Sequence, residues 1–468
     1  MKELKPGSHI HFIGICGTAM ASLAGLLKEQ GFKITGSDRN VYPPMSTFLQ
    51  ELGIEIMQDY KAKNLDPKPD YVVVGNVISA HFEEAEALLK SDIPYASLPE
   101  TMRDFVIQDR HSIVVAGTHG KTTTTSMMSW ICEQEGLKPG FMIGGIAKNF
   151  SQSFQNPKAN HFVIEGDEYD TAFFAKVPKF IYYKPKSVIL NSVEFDHADI
   201  YNDLDDVLKA FKQLMELIPE DGNLIYNAED ENIQKLLPLC KANKVSFGMT
   251  QGDWTTANTE FLRDGIEFDV VFKGKTQERL FVPMFGQYNI GNALSVYAMA
   301  KTLGFNSDLL NSFKEFKGIK RRQELIGEPR GIQVIEDFAH HPTAVNATIE
   351  SFQKRQNKGK LFVVFEPRSN TSRRNIFQES YTQALIKSDH LFLANPFEGT
   401  QKVDRDESLD VEKMISVISK KIPAQIINKV EEAIDEINEK AKTGDTVLIM
   451  SNGGFQNIYQ KILQKLGS

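Results

Sequence analysis

The chain has 468 residues, enough for two to four domains at about 100–200 residues each. Its 41% hydrophobic and 24% charged residues resemble an average soluble globular protein and exclude a disordered, collagen-like or disulfide-dense chain. Fifty-three Lys and Arg against 61 Asp and Glu leave a net charge of −8, which speaks against non-specific binding to nucleic acid. The three cysteines, Cys16, Cys132 and Cys240, are too far apart for a zinc pair or a redox dithiol, so a reducing cytoplasm is the expected setting. Neither an apolar leader nor a run of about 18 apolar residues is found, so no membrane contact is expected.

In chain order, the first segment alternates short apolar runs (His11 to Gly14, Phe32 to Gly36, Tyr71 to Gly75) with amphipathic stretches (Met20 to Lys28, Phe48 to Leu52). Such alternation predicts a parallel α/β sheet. A second alternation starts at Ser112 to Gly117 and continues through Phe162 to Glu165 and Ser187 to Asn191; short alternating segments between about residues 253 and 285 predict antiparallel hairpins at its edge. After Lys320-Arg321-Arg322 a third alternation carries strands at Ile332 to Glu336, Leu361 to Phe365, His390 to Leu393 and Thr446 to Met450. The expected architecture is α/β throughout, in three domains: 1–109, 110–319 and 320–468.

The strongest chemical signal is Val114-Val-Ala-Gly-Thr-His-Gly-Lys-Thr-Thr123, an apolar strand leading through a Gly-containing turn to a Lys, with an amphipathic helix expected from Thr124 to Glu133. This is phosphate-loop context: turn N–H groups hold phosphate oxygens, Lys121 reaches the β/γ-phosphates and the Thr122 hydroxyl ligates Mg²⁺. Val115 stands where the usual pattern has its first Gly, so the loop is a variant; the bland reading is a mere strand-to-helix turn. Phe162-Val-Ile-Glu165, followed by Gly-Asp-Glu-Tyr-Asp, ends a second strand in a carboxylate placed to hold Mg²⁺, although such a cluster alone is more often a solvated loop. A third strand, from Val188, empties into Asn191, Glu194, Asp196 and His197, where His197 reads as a second metal ligand or as a hydrogen-bonding loop residue. Gly14-Ile-Cys-Gly17 is a weak dinucleotide fingerprint that on its own suggests a dehydrogenase.

On these residues the sequence resembles the Mur ligase superfamily, whose Gly-Thr-X-Gly-Lys-Thr loop appears as Gly117-Thr-His-Gly-Lys-Thr122. The resemblance covers the whole chain, including Gly286-Gln-Tyr-Asn-Ile-Gly-Asn292, with Tyr288 in place of the usual His, and Lys320-Arg-Arg. It implies a Rossmann-like N-terminal domain, a central ATPase domain with a small antiparallel edge sheet, and a Rossmann-like C-terminal domain. Asn40-Val-Tyr-Pro-Pro-Met-Ser-Thr47, Gly166-Asp-Glu-Tyr-Asp-Thr-Ala-Phe-Phe174, Glu194-Phe-Asp-His-Ala-Asp199, Asp337-Phe-Ala-His-His-Pro342, Glu366-Pro-Arg-Ser-Asn-Thr371 and Ser451-Asn-Gly-Gly-Phe455 are similar to one branch in particular. That branch attaches a whole murein tripeptide, L-Ala-γ-D-Glu-meso-diaminopimelate, to UDP-N-acetylmuramate in cell-wall recycling; the competing branch adds only L-alanine. A nucleotide switch without ligase activity is the alternative of another class.

What the resemblance implies is ATP-dependent activation of the lactyl carboxylate as an acyl phosphate, which the peptide amine then displaces. Lys121, Glu165 and His197 are the implied catalytic groups, and Thr122, Glu165 and His197 the implied Mg²⁺ ligands. Gly117, Thr118, His119, Gly120, Lys121, Thr122, Thr123, Asn289, Asn292, Arg321, Arg322 and Asp337 would hold ATP. Gly14, Gly17, Thr18, Ala19 and Asp38 fall to the UDP-sugar, with Asp38 equally readable as a turn cap. Arg368, Ser369 and Asn370 face the incoming peptide; His340 and His341 are further candidates, or caps of the helix opening at Pro342. Lys212 stands where some relatives carry a carbamylated Lys, and reads more simply as a surface residue.

Overall fold

The computed structural model describes residues 4–41, 45–196, 200–262, 264–355, 359–397 and 405–467. Among the described residues three large sheets carry the chain, beside a two-stranded ribbon of Asp170–Ala172 and Ala175–Pro178. The first has five parallel strands in the order Glu55–Gln58, Lys33–Asp38, His9–Ile13, Tyr71–Val74, Tyr95–Ser97. The chain winds outward on both sides of His9–Ile13, so a crevice opens at the carboxyl end of that strand, where open α/β sheets bind ligands.

The second sheet has ten strands. Its parallel centre runs Asn243–Phe247, Asn223–Asn227, Pro185–Leu190, His111–Ala116, His161–Gly166, Gly140–Met142. The expected hairpins are present as Trp254–Phe261, Ile266–Phe272 and Lys275–Val282, antiparallel to one another and joined to the sheet where Trp254 pairs with Phe247. The middle strands are apolar on both faces because helices cover them: Val114, Val115, Ile189 and Ile164 are all fully buried.

The third sheet places Gln333–Asp337, Thr446–Met450, Leu361–Phe365, His390–Ala394 and Ala424–Ile427 in parallel, with Glu324–Gly327 antiparallel at its edge. Three mixed or parallel α/β layers therefore follow one another along the chain, as expected. The strands Asn223–Asn227 and Asn243–Phe247 have no counterpart in the sequence reading, since each is a short five-residue run that opens on Asn. Register against Pro185–Leu190 makes the first a strand, and register against the first makes the second.

The first two layers meet through the helix Thr18–Glu29, whose Gly25 lies against the ring of Phe154 so closely that a Cβ there would stand 2.3 Å from Phe154 Cζ. The ring cannot retreat, being 2% exposed and edge-on to Phe48. Ser22 to Ser153 at 3.0 Å and Gln30 to Asn156 at 2.9 Å continue this junction. Gly25→Val is expected to lower the unfolding free energy by about 1–3 kcal/mol through overpacking, read as a lower denaturant midpoint at unchanged slope.

Candidate active site

The strands His161–Gly166, His111–Ala116 and Pro185–Leu190 are adjacent in the sheet, so the three chemical signals of the sequence converge at one edge. Their carboxyl ends, with loops of the third layer, enclose a cavity of about 490 Å³, well within the range of small-molecule sites. Thr118, His119, Gly120, Lys121, Thr122, Thr123, Asn289, Asn292, Arg322, Asp337, His340 and His341 line it.

The phosphate loop is shaped by two glycines. Gly117 (φ +125°) lies so near the next strand end that a Cβ would meet the Ser192 carbonyl oxygen at 2.8 Å, and Gly120 (φ +79°) has Asn292 Oδ1 where a Cβ would stand 2.6 Å away. Gly120 ends the turn in the left-handed conformation, and the helix Lys121–Gln134 starts there, three residues before the expected Thr124, so Lys121 and Thr122 sit in its first turn. That placement turns free N–H groups and the positive end of the helix toward the cavity.

Lys121 donates to Glu168 Oε2 at 2.9 Å and to the Gly117 carbonyl at 2.7 Å. Burial alone would favour the neutral amine, but Glu168 and Asp167 hold it charged, above its usual pKa. Lys179 pairs with Asp167 at 2.9 Å, so the acidic run after Glu165 is a set of buried ion pairs, not a solvated loop. The Thr122 hydroxyl donates to Glu165 Oε2 at 3.0 Å and the Gly144 N–H to Oε1 at 2.5 Å. Burial, and then Asp167, push Glu165 above the usual carboxylate range. A carboxylate so placed gains from a nearby cation, and its pairing with a hydroxyl matches the oxygen donors that Mg²⁺ prefers.

A chain of amides ties the loop to the helix Gln287–Thr302: Asn191 donates to Thr124 at 2.9 Å and to Asn292 Oδ1 at 3.3 Å, and Asn292 donates to Asn289 Oδ1 at 2.9 Å. Asp337 accepts the Gln323 N–H at 2.8 Å and the Ala339 N–H at 2.7 Å at the cavity wall. The neighbouring arginines part company. Arg322 lines the cavity over Phe338, whereas Arg321 donates to Glu336 at 2.6 Å and to the Gly453 carbonyl at 2.8 Å and is absent from the lining. Arg321 therefore braces the third layer.

The remaining candidates form two outlying groups. Gly14, Gly17, Thr18 and Ala19 surround the first strand end, and Asp38 accepts the N–H groups of Cys16 and Asn40, both at 2.9 Å, which matches its turn-capping reading. Arg368 lies over Phe397, 3.7 Å from ring centre to guanidinium, and 3.5 Å from Glu366. Ser369 bonds Ser372 and Asn370 accepts from Arg373, holding the turn that carries Arg368. Lys212 is exposed on the helix Leu204–Leu217, away from the cavity lining. His197 lies outside the described residues, as do 42–44 of the Asn40 to Thr47 segment.

Sequence reading singled out Glu194, Asp196, His119 and His341 but not the contacts through which they join the second and third layers. Thr343 donates to Glu194 Oε2 at 2.8 Å, Thr371 donates to Asp196 Oδ1 at 3.0 Å, and the rings of His119 and His341 lie 4.8 Å apart. Each contact spans well over a hundred residues, so no local pattern announces it.

Residues 9–110 match the model of the Mur ligase family catalytic domain, 115–300 that of the Mur ligase middle domain, and 321–453 that of the Mur ligase glutamate ligase domain. The chain belongs to the Mur ligase family. Over 98% of its length this Mur ligase is 40% identical to UDP-N-acetylmuramate--L-alanyl-gamma-D-glutamyl-meso-2,6-diaminoheptandioate ligase of Escherichia coli (strain K12), covering 98% of that protein. It is 33% identical to UDP-N-acetylmuramate--L-alanine ligase of Clostridium acetobutylicum, with 97% of each chain covered. A crystal structure of a murein peptide ligase from Psychrobacter arcticus superposes with a TM-score of 0.72 at 36% identity, covering 99% of both chains. Among the described residues no helix is long and apolar enough to cross a membrane.

Truncating Lys121 has two consequences that separate experimentally. Lys121→Ala strips a partner from Glu168, whose side chain is 2% exposed, and is expected to cost about 3–5 kcal/mol of stability. Lys121→Met combined with Glu168→Gln should recover most of that stability, by denaturant titration, yet remain inactive.

Proposed function

We propose that this Mur ligase joins the murein tripeptide L-Ala-γ-D-Glu-meso-diaminopimelate to UDP-N-acetylmuramate at the expense of ATP, in the cytoplasm where both nucleotides are available. The observation that carries the chemistry is the convergence of Lys121 and Thr122, which line the 490 Å³ cavity, with Glu165, which lies behind Thr122 and accepts its hydroxyl. A carboxylate is a poor electrophile for an amine until one oxygen becomes a leaving group. In the first step a carboxylate oxygen of the sugar bonds the γ-phosphorus of ATP and ADP departs. In the second the peptide amine bonds the acyl carbon, phosphate leaves with the C–O electron pair, and the amine loses a proton.

The first step brings two anions together, so its barrier is largely electrostatic. Lys121 and the N–H groups opening the helix Lys121–Gln134 supply fixed positive charge there without reorganising. Thr122 and Glu165 would hold Mg²⁺, which neutralises phosphate charge when bound. Asn289, Asn292, Arg322 and Asp337 suit the rest of the nucleotide: Asp337 offers a fixed acceptor, and Arg322, over the neighbouring Phe338, a cation. The crevice at Gly14 to Ala19 presents a helix start to the UDP pyrophosphate, since Gly17 carries no side chain and leaves the N–H groups of Thr18 and Ala19 uncovered.

The choice of tripeptide over L-alanine is supported by the greater similarity to the tripeptide ligase along the entire chain. It is also supported by Arg368, whose stacked guanidinium is a fixed fork suited to an acceptor carboxylate. The test is ADP release dependent on UDP-N-acetylmuramate, with each acceptor in turn. Tripeptide is expected to be favoured in kcat/KM by at least about a hundredfold, as hydrogen-bonded recognition allows; turnover with L-alanine alone would refute the assignment.

A further inference from the structure

The seam between the second and third layers holds a group of side chains that the ligation chemistry leaves unused. His119 rises from the phosphate loop, Glu194 from the neighbouring strand end and His341 from the start of the helix Pro342–Gln353. One ligand atom from each lies within 4.8 Å of the others. His119 Nε2 is 3.4 Å from Glu194 Oε2, close to the spacing of two ligands on one tetrahedral ion with metal–donor bonds of about 2.0–2.2 Å.

The second observation is hydrogen bonding that is missing. His341 is 4% exposed, yet among the described residues neither of its ring nitrogens has a hydrogen-bond partner, and His119 Nε2, likewise buried, meets only the Glu194 carboxylate, at 3.4 Å. Buried imidazole nitrogens are almost always satisfied, so two unpartnered nitrogens of His341 beside a third that meets only a carboxylate suit a positive species that accepts imidazole lone pairs. We propose that His119, Glu194 and His341 form a second kind of metal site, selective for a borderline-soft divalent ion of the Zn²⁺ class.

Two imidazoles and one carboxylate are the donor set of such ions, whereas Mg²⁺ takes oxygens and keeps its waters. The surroundings are those of a metal site. The Thr343 hydroxyl at 2.8 Å orients the Glu194 carboxylate, and Phe377 packs edge-on against the His341 ring at 5.0 Å between centres. An ion here would pin the third layer to the phosphate loop. It would thereby hold the seam shut over the cavity and slow ligation.

The test uses Co²⁺, whose visible spectrum reports its ligands, added to the full-length protein in excess Mg²⁺ without nucleotide. One equivalent with a tetrahedral-type spectrum, displaced by Zn²⁺, is expected. His341→Asn and Glu194→Gln should each weaken it by more than the roughly 10–100-fold typical of losing an outer partner, and Thr343→Val by about that amount. Glu165→Gln should leave it unchanged. No Co²⁺ binding, binding indifferent to His341→Asn and Glu194→Gln, or binding lost in Glu165→Gln would overturn the proposal. Because no substrate is present, the outcome is independent of the ligase reading.

Discussion

The buried contact of Lys121 with Glu168 is the constraint on which the site depends. An ammonium group taken out of water must be paired or it loses its proton, and a phosphate loop works only with that charge in place. Glu168 and the Gly117 carbonyl keep it there, Lys179 balances the adjoining Asp167, and Glu165 is left for Thr122 and a cation. The acidic stretch after the strand His161–Gly166 is thus a counter-charge built around one lysine.

The same constraint explains how a chain of net charge −8 can accept nucleotide polyanions. Positive potential is concentrated at the first turn of the helix Lys121–Gln134 and at Arg322, where low-dielectric walls make each charge count for more than it would in water. Arg321, one residue away, is bound to Glu336 and two carbonyls outside the cavity lining. Counting basic residues would credit both arginines equally.

Catalytic access depends on a seam. The third layer touches the strand ends of the second through Thr343 with Glu194 and Thr371 with Asp196, two hydroxyl-to-carboxylate bonds of the kind worth about 1.5–3 kcal/mol to a charged acceptor. These are modest contacts beside the apolar junction of Gly25 with Phe154 that joins the first two layers. The paired histidines His119 and His341 face each other across this seam.

Local chemistry was legible in the sequence: the strand before Gly117, the Gly-Lys-Thr turn and the carboxylate ending Phe162 to Glu165 are consecutive residues whose roles follow from backbone geometry. The order of strands is what brought the three signals together, and it follows from crossover connections that no short window contains. Partners were beyond reach for the same reason. That Lys121 would take Glu168, that Asp38 would close its own turn, that Arg321 and Arg322 would diverge and that His119 would meet His341 depend on which surfaces pack together. The sequence by itself determined the three α/β layers and the phosphate loop, because strand periodicity and glycine conformations are properties of neighbouring residues. Only the tertiary structure decided which charges are neutralised and which face the cavity, because burial sets that balance and burial is a property of the whole packed chain.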